Sequence, residues 1–586
     1  MFLVLRRCAL LLALQFLIPG WATAQFAPAD LPENEQHALY ELGKVWGFLK
    51  YYHPTVQSGC IDWDMALLTS LGWPSQATSQ ALPEPPLAAL LAALEASQSD
   101  CDSPIPEIQR PYDSGWIERI DLPESRREWL RHLAQPASSA RQHYVGMKAA
   151  VGNPVFLNEN RYPEFRGEDW RLRLLALFRY WNAIEYWFPY KDLIDEDWNT
   201  VLRSFIPRLY KASNWDAYLV ELSALAASIN DGHGNLNEAN YIKPPRGRHM
   251  APYSIRIIEN KPVIWRRLRI KPNIRYDPAN VYQLETGDVI LSVDGKSIEE
   301  LFASAQPYIG ASNLLSQRRL FAQFLTNGDT PEVALEINRH GKTLTVRNGR
   351  LSRDQIDMTG DRFWHDHHGN AFRSLTDEIA YLSLADPSIN DFDDFKSELL
   401  GHDALIVDLR SYPAKFMVFE LGQHLVSEET DFARFTKAKQ NHPGSFFWSA
   451  PVSLQAKEPY YQGRVIALID DSTMSQAEYT AMALRAGDNT VLIGNQTAGA
   501  DGNISYIPLP GGINAVFSGI GVFYPDNTPT QRVGIVPDIE IWPTIAGLRE
   551  SRDEILEAAI REIAGDSLSA ETIEQAARYN DIQDTN

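Results

Sequence analysis

From Glu378 onward, short apolar runs alternate with stretches of helical periodicity, and this alternation constrains the fold more than any other feature of the chain. Ile379–Leu384, Ala404–Leu409, Val465–Ile469 and Val491–Ile493 have the length and β-branched content of buried strands. Asp391–Leu400 and Gln476–Ala486 repeat apolar residues at helical spacing. Strands separated by helices are joined by crossovers rather than hairpins, so this part of the chain predicts an α/β domain with an at least partly parallel sheet. In such sheets, chemistry gathers where strands end and helices begin.

The rest of the 586 residues is too long to share one core with that domain, so a multidomain protein is expected. The N-terminal half carries a diverged repeat. Trp46, Tyr51, Tyr52, Pro54 and Trp63 recur at identical spacing as Trp181, Tyr186, Trp187, Pro189 and Trp198, and both copies end in an Asp-Trp pair, Asp62-Trp63 and Asp197-Trp198. Aromatic residues at helical spacing are assigned to packing, which gives two helical units, 25–150 and 151–245, with a Pro/Ser/Asp-rich linker from Ser97 to Tyr112. From Ala251 the texture becomes β-type, with strand candidates Val263–Trp265, Val289–Val293 and Val333–Ile337 in a module spanning 251–350. The run Leu284–Gly295, followed by a helix over Ser297–Ala305, resembles the core of a PDZ domain, which captures extended peptide by adding a strand to a sheet edge. The catalytic domain is placed at 365–565.

Residues 1–24 have the pattern of a secretory signal: Arg6 and Arg7, an apolar run from Cys8 to Leu17, and Ala22-Thr23-Ala24 before a cleavage point. The expected location is therefore secreted or periplasmic, with no stable transmembrane anchor. A formal charge of −21 argues against a nucleic-acid partner. Processing would leave Cys60 and Cys101, which an oxidising compartment would allow to pair. His365, His367 and His368 lack carboxylate or cysteine partners at ligand spacing and are assigned to a solvated turn. Nothing calls for a metal or another cofactor.

The strongest chemical signal is Val465–Glu478, a strand, a polar turn and a helix with Ser475 at its start. A serine there shares its place with free backbone N–H groups, which suits an acyl nucleophile beside an oxyanion hole. It equally suits an N-cap, because Ser475-Gln476-Ala477-Glu478 fits the capping-box pattern. The segment Thr473–Leu484, followed by Ile493–Ala500, resembles the nucleophile motif of the tail-specific and tricorn-core serine peptidases of family S41. Leu405–Arg410 and Val533–Ile539 match the same family, in its order. The resemblance implies a ClpP/crotonase-like catalytic domain, a Ser475 nucleophile and peptide or protein substrates, extended or C-terminal.

The branch of that family with a Ser–Lys dyad has its lysine where this chain has Ala500. The branch similar to the tricorn core and retinol-binding-protein-like peptidases takes its base from an Asp-x-His motif, matched here by Asp231-Gly232-His233. His233 is thus the expected general base. That branch's serine before the histidine is Gly232 here, and its late glutamate is not evident near Gln531 and Arg532. Asp231 and Glu478 are possible orienters of the imidazole, and the third member of the relay stays unassigned. The N–H groups of Gln476 and Ala414 are the expected oxyanion donors; the family's Gly-Gly pair is replaced around Ala414. Two alternatives stand beside this reading: an inactive peptide-binding scaffold of the same fold, and an esterase or transpeptidase using the same serine.

Overall fold

A computed structural model describes residues 30–73, 86–96, 113–134, 142–237, 247–358, 371–389 and 391–579. The signal segment 1–24, the linker from Ser97 to Tyr112, Cys101 and the histidines 365, 367 and 368 lie outside those residues. Cys60 is disulfide-bonded.

The sequence repeat is a structural repeat. Helices Glu33–Tyr52 and Trp170–Trp187 carry the first tryptophan of each copy, and helices Trp63–Ser70 and Trp198–Lys211 begin on the second. The acidic residue before each second tryptophan is an N-cap: Asp62 accepts from Met65 N–H at 3.0 Å and Asp197 from Thr200 N–H at 2.8 Å. In both copies the two indoles exchange hydrogen bonds with each other's carbonyls, Trp46 with Trp63 at 3.0 and 2.8 Å, Trp181 with Trp198 at 2.6 and 3.1 Å. This satisfies the indole N–H groups in a dry interior, where an unpaired donor is costly. The two long helices cross at equivalent positions. A Cβ on Gly47 would stand 1.9 Å from Cγ of Asn182, its repeat counterpart. One apolar core runs through both units and takes in Ile507, Ala515 and Phe517 from the C-terminal part of the chain.

The module over 251–350 is an antiparallel sheet ordered Lys342–Gly349, Glu332–Arg339, Val289–Val293, Lys261–Arg267, Tyr253–Ile258. All three strand candidates are present. Helix Ile298–Ala305 starts at Ser297, which forms a capping box with Glu300.

The C-terminal domain holds a sheet ordered Phe372–Ser374, Ile379–Ser383, Ala404–Asp408, Arg464–Ile469, Thr490–Gly494, Ile539–Glu540. Only the first pair is antiparallel. The helix expected over Asp391–Leu400 is broken into a 3₁₀ turn at Phe392–Asp394 and a short helix at Lys396–Leu399, because the Asp391 carboxylate caps the first turn and Phe395, at φ −130°, leaves helical space. Two small sheets have no clear sequence signal. One joins strands Thr430–Lys439, His442–Trp448, Val452–Leu454 and Gly521–Phe523; the other joins Ile504–Pro508, Asn514–Ser518 and the two-residue strand Asn235–Leu236. This last pairing matters most, since it fastens the chain just after His233 to the C-terminal domain.

Candidate active site

Ser475 sits where strand Arg464–Ile469 turns sharply into helix Gln476–Arg485. Its backbone is at φ 58°, ψ −122°, a conformation that a non-glycine residue adopts only when its surroundings enforce it. The enforcing bonds are visible. Ser472 Oγ donates to the Arg410 carbonyl at 2.7 Å, Thr473 Oγ1 to the Leu409 carbonyl at 3.1 Å, and Ser475 N–H to the Ala500 carbonyl at 2.9 Å. The Asp-Leu-Arg motif is itself structural, for Arg410 is fully buried between Asp408 and Asp553, with Nη2 to carboxylate distances of 2.6 and 2.8 Å.

Ser475 and His233 line one cavity of about 770 Å³. The Asp231-Gly232-His233 loop reaches it by packing against Ala500, and a Cβ on Gly232 would lie 2.6 Å from Cβ of Ala500. A serine at 232 would need the space that the Ala500 methyl group occupies.

His233 Nδ1 lies 2.9 Å from Ser518 Oγ, and Ser518 donates its one hydroxyl proton to Asp231 Oδ1 at 3.0 Å. The hydroxyl oxygen must then accept from Nδ1–H, which fixes the tautomer and leaves the Nε2 lone pair free. Asp231 Oδ1 is itself 3.8 Å from Nδ1. The carboxylate is buried and also accepts from His233 N–H at 3.1 Å, Ser518 N–H at 2.7 Å and Gln531 Nε2 at 3.2 Å. Burial holds the imidazole below its ordinary pKa, with Asp231 pulling the other way, so His233 is neutral at neutral pH.

Of the two possible orienters, Asp231 reaches the imidazole and Glu478 does not. Glu478 is fully buried and accepts from Ser475 N–H at 3.1 Å, Ala500 N–H at 3.0 Å, Gly499 N–H at 2.8 Å and Thr497 Oγ1 at 2.5 Å, so it holds the 497–500 loop to the nucleophile turn. Ser518 has no place in the sequence reading, and Gln531 enters it only as a position where the family's late glutamate is not evident. A serine at the end of an ordinary strand and a glutamine in a loop carry no signal until folding brings them to Asp231.

The oxyanion assignment needs one correction. Ala414 N–H is already used, donating to the Leu384 carbonyl at 2.8 Å. The next N–H, that of Lys415, has no acceptor among the described residues, and the Lys415 carbonyl accepts from Gln476 Nε2 at 2.7 Å, which ties this loop to the nucleophile helix. Gln476 N–H, in the first helical turn, is likewise without an acceptor among the described residues.

The β-rich module also touches the site. Ser312 Oγ accepts from Gly232 N–H at 2.8 Å and from Gln531 Nε2 at 3.3 Å, while Asn313 Nδ2 donates to the carbonyls of Thr497 at 2.9 Å and Ala498 at 3.1 Å.

Comparison with known proteins accords with this geometry. Residues 378–541 match the family model of Peptidase family S41. No curated protein matches the chain. Among solved structures, mature CPAF complexed with lactacystin aligns at 13% identity and TM-score 0.49, covering 68% of this chain and 99% of its own. The photosystem II D1 C-terminal processing protease aligns at 14% identity and TM-score 0.37, covering 67% and 98%. The tricorn protease aligns at 13% identity and TM-score 0.33, covering 68% and 37%. The assignment rests on the sequence match: through residues 378–541 this chain belongs to peptidase family S41, and it is a serine-type peptidase.

Proposed function

We propose that the protein hydrolyses peptide bonds through an acyl-enzyme on Ser475, with His233 as general base. The observation that carries this reading is the Asp231–Ser518–His233 chain of hydrogen bonds opening, with Ser475, on one cavity. His233 Nε2 takes the Ser475 proton as Oγ attacks the scissile carbonyl carbon. The oxygen of the tetrahedral intermediate receives the N–H groups of Gln476 and Lys415, neither of which has an acceptor among the described residues. The imidazolium returns its proton to the leaving amine, and a water repeats the sequence on the ester. Asp231 stabilises the transient imidazolium through Ser518.

The substrates we propose are extended or C-terminal peptide segments. The sheet and capped helix over 251–350 support a PDZ-like capture role, with a strand edge offered to the incoming chain. We place the protein outside the cytoplasm, in a secreted or periplasmic setting reached through the signal at 1–24; the disulfide-bonded Cys60 supports this, with Cys101 as its proposed partner.

Ser475→Ala and His233→Ala should each lower kcat/KM on unstructured peptides, His233→Ala by on the order of 10²–10⁴. Labelling by a fluorophosphonate should disappear in Ser475→Ala. A Ser475→Ala protein of normal activity ends the acyl-enzyme reading. Wild-type protein that is neither labelled nor hydrolytic favours the scaffold alternative, and turnover of esters but not peptides favours the esterase.

A further inference from the structure

The cavity that Ser475 and His233 share is walled by Phe416, Phe419, Phe435 and Tyr479. A substrate residue whose carbonyl lies against Ser475 has this space open to its side chain. One acid lines the same cavity, Asp501, which is 4% exposed. Its Oδ1 accepts the N–H of Gly502 at 2.7 Å. Its Oδ2 is buried and has no partner among the described residues. The contrast with the two neighbouring buried acids is informative. Asp231 and Glu478 each collect four donors from the protein, as expected of carboxylates the fold has to satisfy. Asp501 Oδ2 is left for a donor that the protein does not supply.

We propose that Asp501 makes this cavity a receptor for a lysine or arginine side chain, so that the peptidase cleaves after a cationic residue. The proposal rests on the peptidase reading above and adds its specificity. Any donor could satisfy Oδ2, but among donors a cation gains the most from the aromatic faces. Lysine and arginine also carry their charge on an apolar stem, which suits an apolar cavity with one acid in it.

The other titratable groups around the cavity fit this role. Lys437 is the one cation among the lining residues; its Nζ lies 5.7 Å from the Phe435 ring centre and its stem lies against the Gly152 turn, and it forms no ion pair with Asp501 among the described contacts. His233 is held neutral by burial. Burial, and then the charge of Glu478, hold the Asp501 carboxyl well above the usual carboxylate range, so the empty site is protonated. Tyr479, on the nucleophile helix, is held above its ordinary value by burial and by Asp501, and stays neutral as well. Entry of R–NH3⁺ therefore gives R–NH3⁺ paired with carboxylate and releases one proton to solvent, with no other change of bond.

The test uses the full chain and peptides identical except for Lys, Arg, Met or Gln at the residue whose carbonyl is attacked, with cut positions read by mass spectrometry. Lys and Arg peptides should exceed Met and Gln by about tenfold or more in kcat/KM. The Lys-to-Met ratio should rise with pH as the released proton becomes easier to lose, and it should collapse to about one or below in Asp501→Asn. That ratio is taken within one sample, so a partly folded variant does not disturb it. A preference for Met, a preference for Gln, or a Lys-to-Met ratio unchanged in Asp501→Asn overturns the proposal while the peptidase reading stands. Absence of any cleavage, with no fluorophosphonate labelling of Ser475, overturns the peptidase reading and this proposal with it.

Discussion

At the scale of single residues, the site depends on which atoms have hydrogen-bond partners and which are left over. His233 spends Nδ1–H on Ser518, which leaves Nε2 for the base role proposed above, and burial keeps the ring uncharged. A histidine whose folded pKa lies below 6.5 binds its proton less readily in the native state, so stability is lost as pH falls below that value. The same depression keeps the free base available at lower pH. The acidic limb of the kcat/KM profile should accordingly have its midpoint below pH 6.5, measured on a peptide without ionisable groups near the cleaved bond. A midpoint above 6.5 would mean that the Asp231 charge outweighs burial, and that the relay is more solvated than this structure has it. Gly232 and Ala500 carry the complementary lesson. The Ala500 methyl group leaves no room for a Cβ at 232, so the glycine before the histidine follows from a van der Waals contact that only the fold creates.

At the scale of elements, His233 is held by three parts of the chain that meet only here. It leaves helix Trp215–Ala227, is fastened by strand Asn235–Leu236 to strand Asn514–Ser518, and is buttressed from the β-rich module by Gly310 and Ser312. A Cβ on Gly310 would fall 1.9 Å from the carbonyl oxygen of Gly234, too close for any side chain. Gly310→Ala should therefore push the module off the Asp231–Gly234 loop and slow labelling of Ser475 by a small fluorophosphonate. Such a probe has no peptide for the module to capture. Normal labelling with impaired peptide cleavage would instead assign the module to substrate presentation alone.

At the scale of the whole molecule, the two helical units form one body around a pseudo-symmetric crossing, and the same core takes in the hairpin of Ile504–Pro508 and Asn514–Ser518. The hairpin's last residue, Ser518, is the one that touches His233. The helical half thus supports the position of the relay without lining the cavity through its repeat tryptophans. Gly47→Ala would force a methyl group into Asn182, whose Nδ2 donates to the carbonyls of Gly43 and Phe178 at 3.0 and 2.8 Å. Overpacking of this kind costs about 1–3 kcal/mol, which should lower the urea midpoint of the first unfolding transition. An unchanged midpoint would show that the two long helices can slide apart at little cost.

What the sequence determined by itself is what depends on local periodicity and turn chemistry. The parallel strands, the nucleophile turn, the three strands of the β-rich module and the Asp-capped repeat are all legible, because each is set by residues within a few positions of one another. Ser475 and His233 are the residues to which the resemblance to family S41 points, through motifs of a few residues each. The remainder of the site was not legible, and for one reason. Ser518, Gln531 and Ser312 act through a single hydroxyl or amide presented to a partner far away in the chain, and Lys415 meets the nucleophile helix through its carbonyl. Ala414 illustrates the converse, since a nearby carbonyl already holds the N–H that the motif suggested was free. The unpartnered oxygen of Asp501 belongs to the same class: which polar atoms are satisfied is settled only when distant strands and loops close around them, and tertiary structure alone decides it.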